Sequence, residues 1–232
     1  MNKFLKFGLM AIALTFFFNA VAVTETKAQA VLNEILKRME THRATLKTME
    51  SDVTFVKQDS LLDERDTRQG KVKYIPGKTE NDMYIRIDWT KPEEKLAVIK
   101  TDYVLYRGDP LYQAIIGKVG KAKNSASAGN ALSFMSMSKA QLKANYSYKY
   151  IGEETLSNGA KTVHLELLPK TAQKYKSAEL WVDSDGMPLQ MKIVEKNGDW
   201  TTILLSNVKK NPTLKGSDFV INYPKGTKEI KG

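Results

Sequence analysis

Apolar residues recur every second position along most of this chain, and that period is the strongest constraint on what it can fold into. Val53 and Phe55 alternate with polar neighbours, as do Val72 and Tyr74. Met83, Ile85, Ile87 and Trp89 face one way while Tyr84, Arg86 and Asp88 face the other. A two-residue period places successive side chains on opposite sides of a strand, so each segment has one apolar face that must be buried. Leu96 to Ile99 and Tyr103 to Tyr106 follow at short intervals, separated by Thr101-Asp102 and preceded by Lys91-Pro92. The alternation returns at Tyr146, Tyr148 and Tyr150, at Val163, Leu165 and Leu167, and at Leu180 and Val182. Asp185-Gly186 turns the chain into Leu189, Met191 and Ile193, and Asn197-Gly198, the strongest two-residue hairpin signal, leads into Trp200 to Leu205. Phe219 and Ile221 read as a last strand. Short connections between such strands favour antiparallel neighbours.

Three helical pieces and a loop break this pattern. From Val31 to about Arg43, Val31, Leu32, Ile35, Leu36 and Met39 keep the three-to-four spacing of one helical stripe. Leu111 to Ile116, after Asp109-Pro110, predicts a short helix; Lys118 to Gly129 predicts a mobile loop; Ala131 to Ala144 predicts another helix, with Leu132, Met135 and Leu142 sharing a face. About ten strands with single-faced patterning and a few helical pieces suit a mainly β (α+β) fold: an unclosed antiparallel barrel with the helices lying over its concave side. No repeat of 20 to 50 residues is visible, which argues against propellers and solenoids.

The first thirty residues read as an export leader. Lys3 and Lys6 give a positive start, Phe7 to Val23 is apolar apart from Thr15 and Asn19, and Ala28-Gln29-Ala30 has the small-x-small pattern of signal-peptidase sites. Cleavage is expected after Ala30, leaving a domain over 31–232, soluble and periplasmic, with no cysteine for an N-terminal acyl anchor. Losing Lys3, Lys6, Lys27 and Glu25 lowers the net charge from +10 to +8. The lysines are scattered without interleaved aromatics, so nucleic acid is not an expected partner, and attraction to anionic membrane surfaces or an acidic protein fits better.

The chain has no cysteine and two histidines, which removes thiolate nucleophiles, disulfides and multi-histidine metal centres. No Gly-x-Ser-x-Gly elbow or phosphate-binding glycine loop occurs. The pairs Glu93-Glu94 and Glu153-Glu154 fall where turns are expected, His42 and His164 are expected to be exposed and unconnected, and Trp181 is expected on the outer face. Neither an enzyme, nor a cofactor, nor a metal site is predicted.

The run DWTKPEEKLAVIKTDYVLYRGDP from Asp88 to Pro110, the block LELLPK from Leu165 to Lys170, the stretch WVDSDGMPLQMKIVEKNGDWTTILLSNVKKNP and the later FVINYPKGTKEI together resemble the LolA family of periplasmic carriers of outer-membrane lipoproteins. Trp89, Pro92, Tyr106, Asp109, Pro110, Asn207, Val208 and Phe219 occupy the family's recurrent places in order. The resemblance implies an unclosed barrel with a helical lid over a hydrophobic cavity. It implies acylated lipoproteins as cargo, taken from an inner-membrane exporter to an outer-membrane acceptor by a monomer. A lipid- or lipoprotein-sensing regulatory module and a carrier of free lipid or glycolipid are the alternatives on the same fold. Candidate acyl-chain contacts are Leu36, Met39, Val53, Phe55, Met83, Ile85, Ile87, Trp89, Leu132, Met135, Leu165, Leu167 and Met191. The methionines suit such a lining because thioethers adapt to irregular guests. The family's lid-bonding arginine would fall at Met83, which leaves Arg86 as the nearest latch candidate.

Overall fold

The computed structural model describes residues 29–77, 82–119, 137–173 and 175–232. The export leader and its hydrophobic run therefore lie outside the described residues, as do Leu132, Met135 and most of the expected mobile loop. An opening helix, α1 (29–45), is followed by strands β1 (Met49–Asp59), β2 (Glu64–Ile75), β3 (Tyr84–Trp89), β4 (Glu94–Ile99), β5 (Asp102–Arg107) and β6 (Gln113–Lys118). A short helix, α2 (Lys139–Asn145), leads into β7 (Tyr146–Thr155), β8 (Lys161–Pro169), β9 (Tyr175–Val182), β10 (Pro188–Glu195) and β11 (Trp200–Lys210). A 3-10 turn (Gly216–Phe219) and β12 (Lys228–Lys231) complete the chain.

All twelve strands form one sheet in the order β12-β6-β5-β4-β3-β2-β1-β11-β10-β9-β8-β7. Every neighbour is antiparallel except β12, which runs parallel to β6. β12 and β7 are the two edges, so the sheet is unclosed, as the alternation implied. Joining the two meanders is the pairing of β1 with β11, which brings Phe55 opposite Ile203 and Val53 opposite Leu205. Gly70 sits beside this seam, paired with both Val53 and Trp89, and a Cβ there would lie 2.3 Å from the Asp88 carbonyl oxygen. Only glycine allows β2 and β3 to approach so closely.

Three hairpins share one turn geometry. The amides of Gly159, Gly186 and Gly198 donate to the carbonyls of Leu156, Asp183 and Glu195, and each glycine has φ between 82° and 94°. These are three-residue loops ending in a left-handed glycine, so Asn197-Gly198 is not the two-residue turn the sequence suggested. α2 is started by a reciprocal cap: Ser138 Oγ accepts from the Gln141 amide at 3.1 Å, and Gln141 Oε1 accepts from the Ser138 amide at 2.8 Å.

Some sequence expectations are corrected. Leu111 to Ile116 is no helix: Gln113–Lys118 is β6, paired with β5 and β12. A short apolar run carries no period that separates helix from buried strand, and here two waiting edges decide. Phe219 and Ile221 form no strand; Phe219 ends the 3-10 turn, and the last strand is Lys228–Lys231. β2 begins at Glu64, well before Val72, because its polar first half pairs with β1 in a long hairpin.

Candidate functional site

Cross-strand partners share a face, so register alone builds the inner surface. Leu165 pairs with Leu180, Leu180 with Met191, Met191 with Ile203 and Ile203 with Phe55, a row across five strands. A second row runs from Val72 through Ile87, Leu96 and Leu105 to Ile115. Leu32, Ile35, Leu36 and Met39 of α1 join the same buried cluster, so the helix covers the inner face. The described candidates Leu36, Met39, Val53, Phe55, Met83, Ile85, Ile87, Trp89, Leu165, Leu167 and Met191 are all brought together in it, and all are buried. Phe55 meets Trp89 edge to face, with ring centroids 5.9 Å apart.

α1 is fastened at few points. Its Glu40 Oε2 accepts from the Lys139 amide at the start of α2 at 2.9 Å, and Arg38 Nη1 donates to the Ser184 carbonyl at 3.4 Å. Bonds from Arg43 and from the Lys139 amide hold the Glu40 carboxyl below the usual carboxylate range. Gly186 packs against the helix backbone: a Cβ there would lie 2.2 Å from the Arg38 carbonyl carbon. Apolar contact, which has no directional preference, supplies most of the closure, while the Arg38 link is exposed and the Glu40 link only part-buried.

Several inner-face features escaped the sequence reading. Glu94 lies in β4, not in a turn, and its carboxylate joins Arg68 Nη1 (3.5 Å) to Arg107 Nε (3.2 Å) at the rim beside Trp89. Tyr146, Tyr148 and Tyr150 of edge strand β7 share the face of Pro169, Leu167 and Leu165. Tyr146 and Tyr175 link hydroxyls at 2.5 Å, and burial, reinforced by this bond, pushes the Tyr175 hydroxyl well above its ordinary pKa. The Tyr alternation was visible in sequence; the partner Tyr175, across β8, was not.

Arg86 lies on the outer face. Its Nε donates to Asp88 Oδ1 and Oδ2 at 3.0 and 3.1 Å, and its Nη1 to the carbonyls of Asp218 (3.2 Å) and Val220 (2.8 Å). It therefore ties down the segment that follows β11, on the side away from α1. Phe219 is buried there against Tyr84, with ring centroids 5.6 Å apart.

His164 and Trp181 are on the outer face but buried, contrary to expectation for the histidine. Their rings stack with centroids 4.2 Å apart. His164 Nδ1 lies 3.0 Å from Glu154 Oε1 and Nε2 2.9 Å from Glu179 Oε2, while Trp181 Nε1 donates to Glu154 Oε2. The Trp181 bond, followed by the His164 bond, holds Glu154 below the usual carboxylate range. His42 is half-buried near Lys210; burial first, then that lysine, lowers its pKa. Among the described residues, no group of three or more histidines or carboxylates could hold a metal ion, and no helix is long and apolar enough to cross a membrane.

Comparison with known proteins gives the fold a context. The lipoprotein LppX of Mycobacterium tuberculosis superposes with a TM-score of 0.50 at 14% identity, covering 80% of this chain and 99% of that one. A LolA superfamily protein of Nitrosomonas europaea gives 0.40 at 13%, covering 82% and 97%. MucB in the MucA/MucB complex of Pseudomonas aeruginosa gives 0.48 at 14%, covering 82% and 60%. No curated protein matches. The profile of the family described as "Outer membrane lipoprotein carrier protein LolA" matches residues 44–222, from the last turn of α1 past the outer-face segment, and the chain belongs to that family.

Proposed function

We propose that this protein is a periplasmic carrier that shields the acyl chains of lipoproteins beneath α1 and conveys them from an inner-membrane exporter to an outer-membrane acceptor. One observation carries the reading: a continuous apolar inner face spans ten strands under a helix held by few polar links. Acyl chains leave membranes reluctantly, since each methylene moved from water to an apolar site contributes about 0.8 kcal/mol. A carrier must offer comparable apolar contact and must also open. Here opening means lifting Leu32, Ile35, Leu36 and Met39 off the sheet, so guest methylenes replace helix side chains at similar cost per area. The exchange keeps affinity moderate, as release requires. In this reading Val53, Phe55, Met83, Ile85, Ile87, Trp89, Leu165, Leu167 and Met191 contact the guest, with Leu132 and Met135 as further candidates. Glu94 with Arg68 and Arg107 stands at the rim, where the polar end of an acylated polypeptide would emerge.

The test is uptake of a labelled triacylated lipopeptide by purified protein carrying a photo-crosslinking residue at Ile87 or Met191. Crosslinking at both positions, competed by unlabelled lipopeptide, is the expected result. Absence of any adduct or uptake sinks the proposal. Capture of free phospholipid in preference to lipopeptide transfers support to the free-lipid alternative.

A further inference from the structure

The strands place their connections at two ends of the barrel, and the two ends differ. One end carries the β1–β2, β3–β4, β5–β6, β8–β9 and β10–β11 turns. At its β1–β2 tip Leu61 is 90% and Leu62 64% exposed, and at its β5–β6 tip Leu111 is 50% and Tyr112 48% exposed. Toward the opposite end, among the described residues, the large exposed apolar residues are Val119, just past β6, and Ile116 within that strand, and neither forms an adjacent pair on a turn. Scattered single apolar residues need no explanation, but adjacent pairs on two tips of one end do.

The Leu61 and Leu62 side chains do little for the fold. A leucine 90% exposed has almost no packing partner, and tips are normally filled by polar turn-formers. The backbone is nevertheless built to hold them out. Asp59 Oδ1 accepts from the amides of both Leu61 and Leu62 at 2.9 Å, while Ser60 bonds Asp199 through its amide (2.9 Å) and hydroxyl (3.0 Å), anchoring the tip to the β10–β11 turn. At the second tip Tyr112 has φ 42°, a conformation rare for a bulky residue. Its amide is fixed to the Gly108 carbonyl at 3.0 Å.

We propose that this end of the barrel is a membrane-contact surface, on which the Leu61-Leu62 and Leu111-Tyr112 tips insert into the interfacial layer of a lipid bilayer. Protruding tips fit a deformable surface better than a preformed protein groove. Leucine is also under-represented among the anchors of protein interfaces, whereas tyrosine is enriched at membrane–water boundaries. Lys170 and Lys196, in the β8–β9 and β10–β11 turns, and Lys176, at the start of β9, lie at the same end, and the net positive charge, +8 once the leader is lost, draws the protein toward anionic headgroups. At the first tip Asp59 accepts from the two leucine amides and Asp63 from Gln58 Nε2 at 2.9 Å. The proposal stands independently of the carrier reading.

The experiment is co-sedimentation of the full chain with phosphatidylcholine vesicles and with equimolar phosphatidylcholine/phosphatidylglycerol vesicles, in low and high salt. The wild type is expected to bind both, more tightly to the anionic ones, and to retain binding in high salt. L61S/L62S should weaken binding about tenfold or more, as loss of two partly inserted leucines implies, and L111S should weaken it less; V119S at the other end should leave it unchanged. Lipopeptide uptake, measured on the same samples, should be unaffected by the tip changes and reports separately on the carrier reading. The proposal is overturned if wild type binds neither vesicle, if L61S/L62S binds as well as wild type while remaining folded by circular dichroism, or if all binding vanishes in high salt.

Discussion

The two faces of this sheet are made by alternate residues of the same strands, yet each is buried in its own way. Inside, Leu165, Leu180, Met191, Ile203 and Phe55 run uninterrupted from strand to strand and need α1 as a cover. Outside, burial comes in islands with polar seams: His164 and Trp181 between Glu154 and Glu179, Phe219 beside Arg86, Tyr106 stacked on Tyr223. An apolar face sealed by undirected contacts can be uncovered and covered again by another apolar body. A face closed by directed hydrogen bonds cannot accept a substitute without leaving buried groups unpaired. On the carrier reading proposed above, the difference places movement and cargo at the inner face and rigidity at the outer one.

The largest expected difference between the faces is in truncation. Ile87→Ala and Leu165→Ala should each cost about 2 to 5 kcal/mol in urea unfolding, because both side chains are fully enclosed. On the outer face Leu168→Ala, at a half-exposed position, should stay within about 0.5 kcal/mol. An Ile87→Ala cost below that of Leu168→Ala would erase the distinction.

Next is Gly186→Ala. With φ 88° and the Arg38 backbone at the Cβ position, the substitution strains the turn and presses on α1. A loss of about 1 to 3 kcal/mol is expected, with faster hydrogen exchange at the amides of α1 and higher lipopeptide uptake. Unchanged exchange in α1 would show that the turn does not hold the helix.

Glu154→Gln tests the outer seam. Glu154 is partly exposed, so the loss should be about 1 kcal/mol or less. Trp181 emission should shift to the red as its indole N–H loses a charged acceptor, and uptake should not change. A rise in uptake would mean that the faces are coupled.

The smallest effect concerns acid. Glu40 and Glu154 both have pKa values below the ordinary carboxylate range in the folded protein, so the stability they contribute is present above the unfolded value and is lost as pH falls through the folded one. Between about pH 6 and about pH 3 the urea midpoint should fall, and Glu40→Gln should flatten part of the fall. If Glu40→Gln shows the same pH slope as wild type, the Glu40–Lys139 link is not a working tie.

Alternation with a two-residue period determined which side chains of β1, β3, β8 and β10 point inward, and a three-to-four spacing determined the buried stripe of α1. Geometry forces both, since a side chain's direction follows from its place in the strand or helix whatever it touches. Periodicity also made the open sheet legible, because many single-faced strands need one shared interior. What it left open was every pairing between distant segments. Gln113–Lys118 became a strand because β5 and β12 were there to bond it, and Arg86 found its partners in carbonyls more than a hundred residues away. His164 and Trp181 became buried on the polar side because Glu154 and Glu179 arrive from flanking strands and take their hydrogen bonds. Neighbours in space set burial of polar groups and the fate of short apolar runs, and only the register of the folded sheet chooses those neighbours.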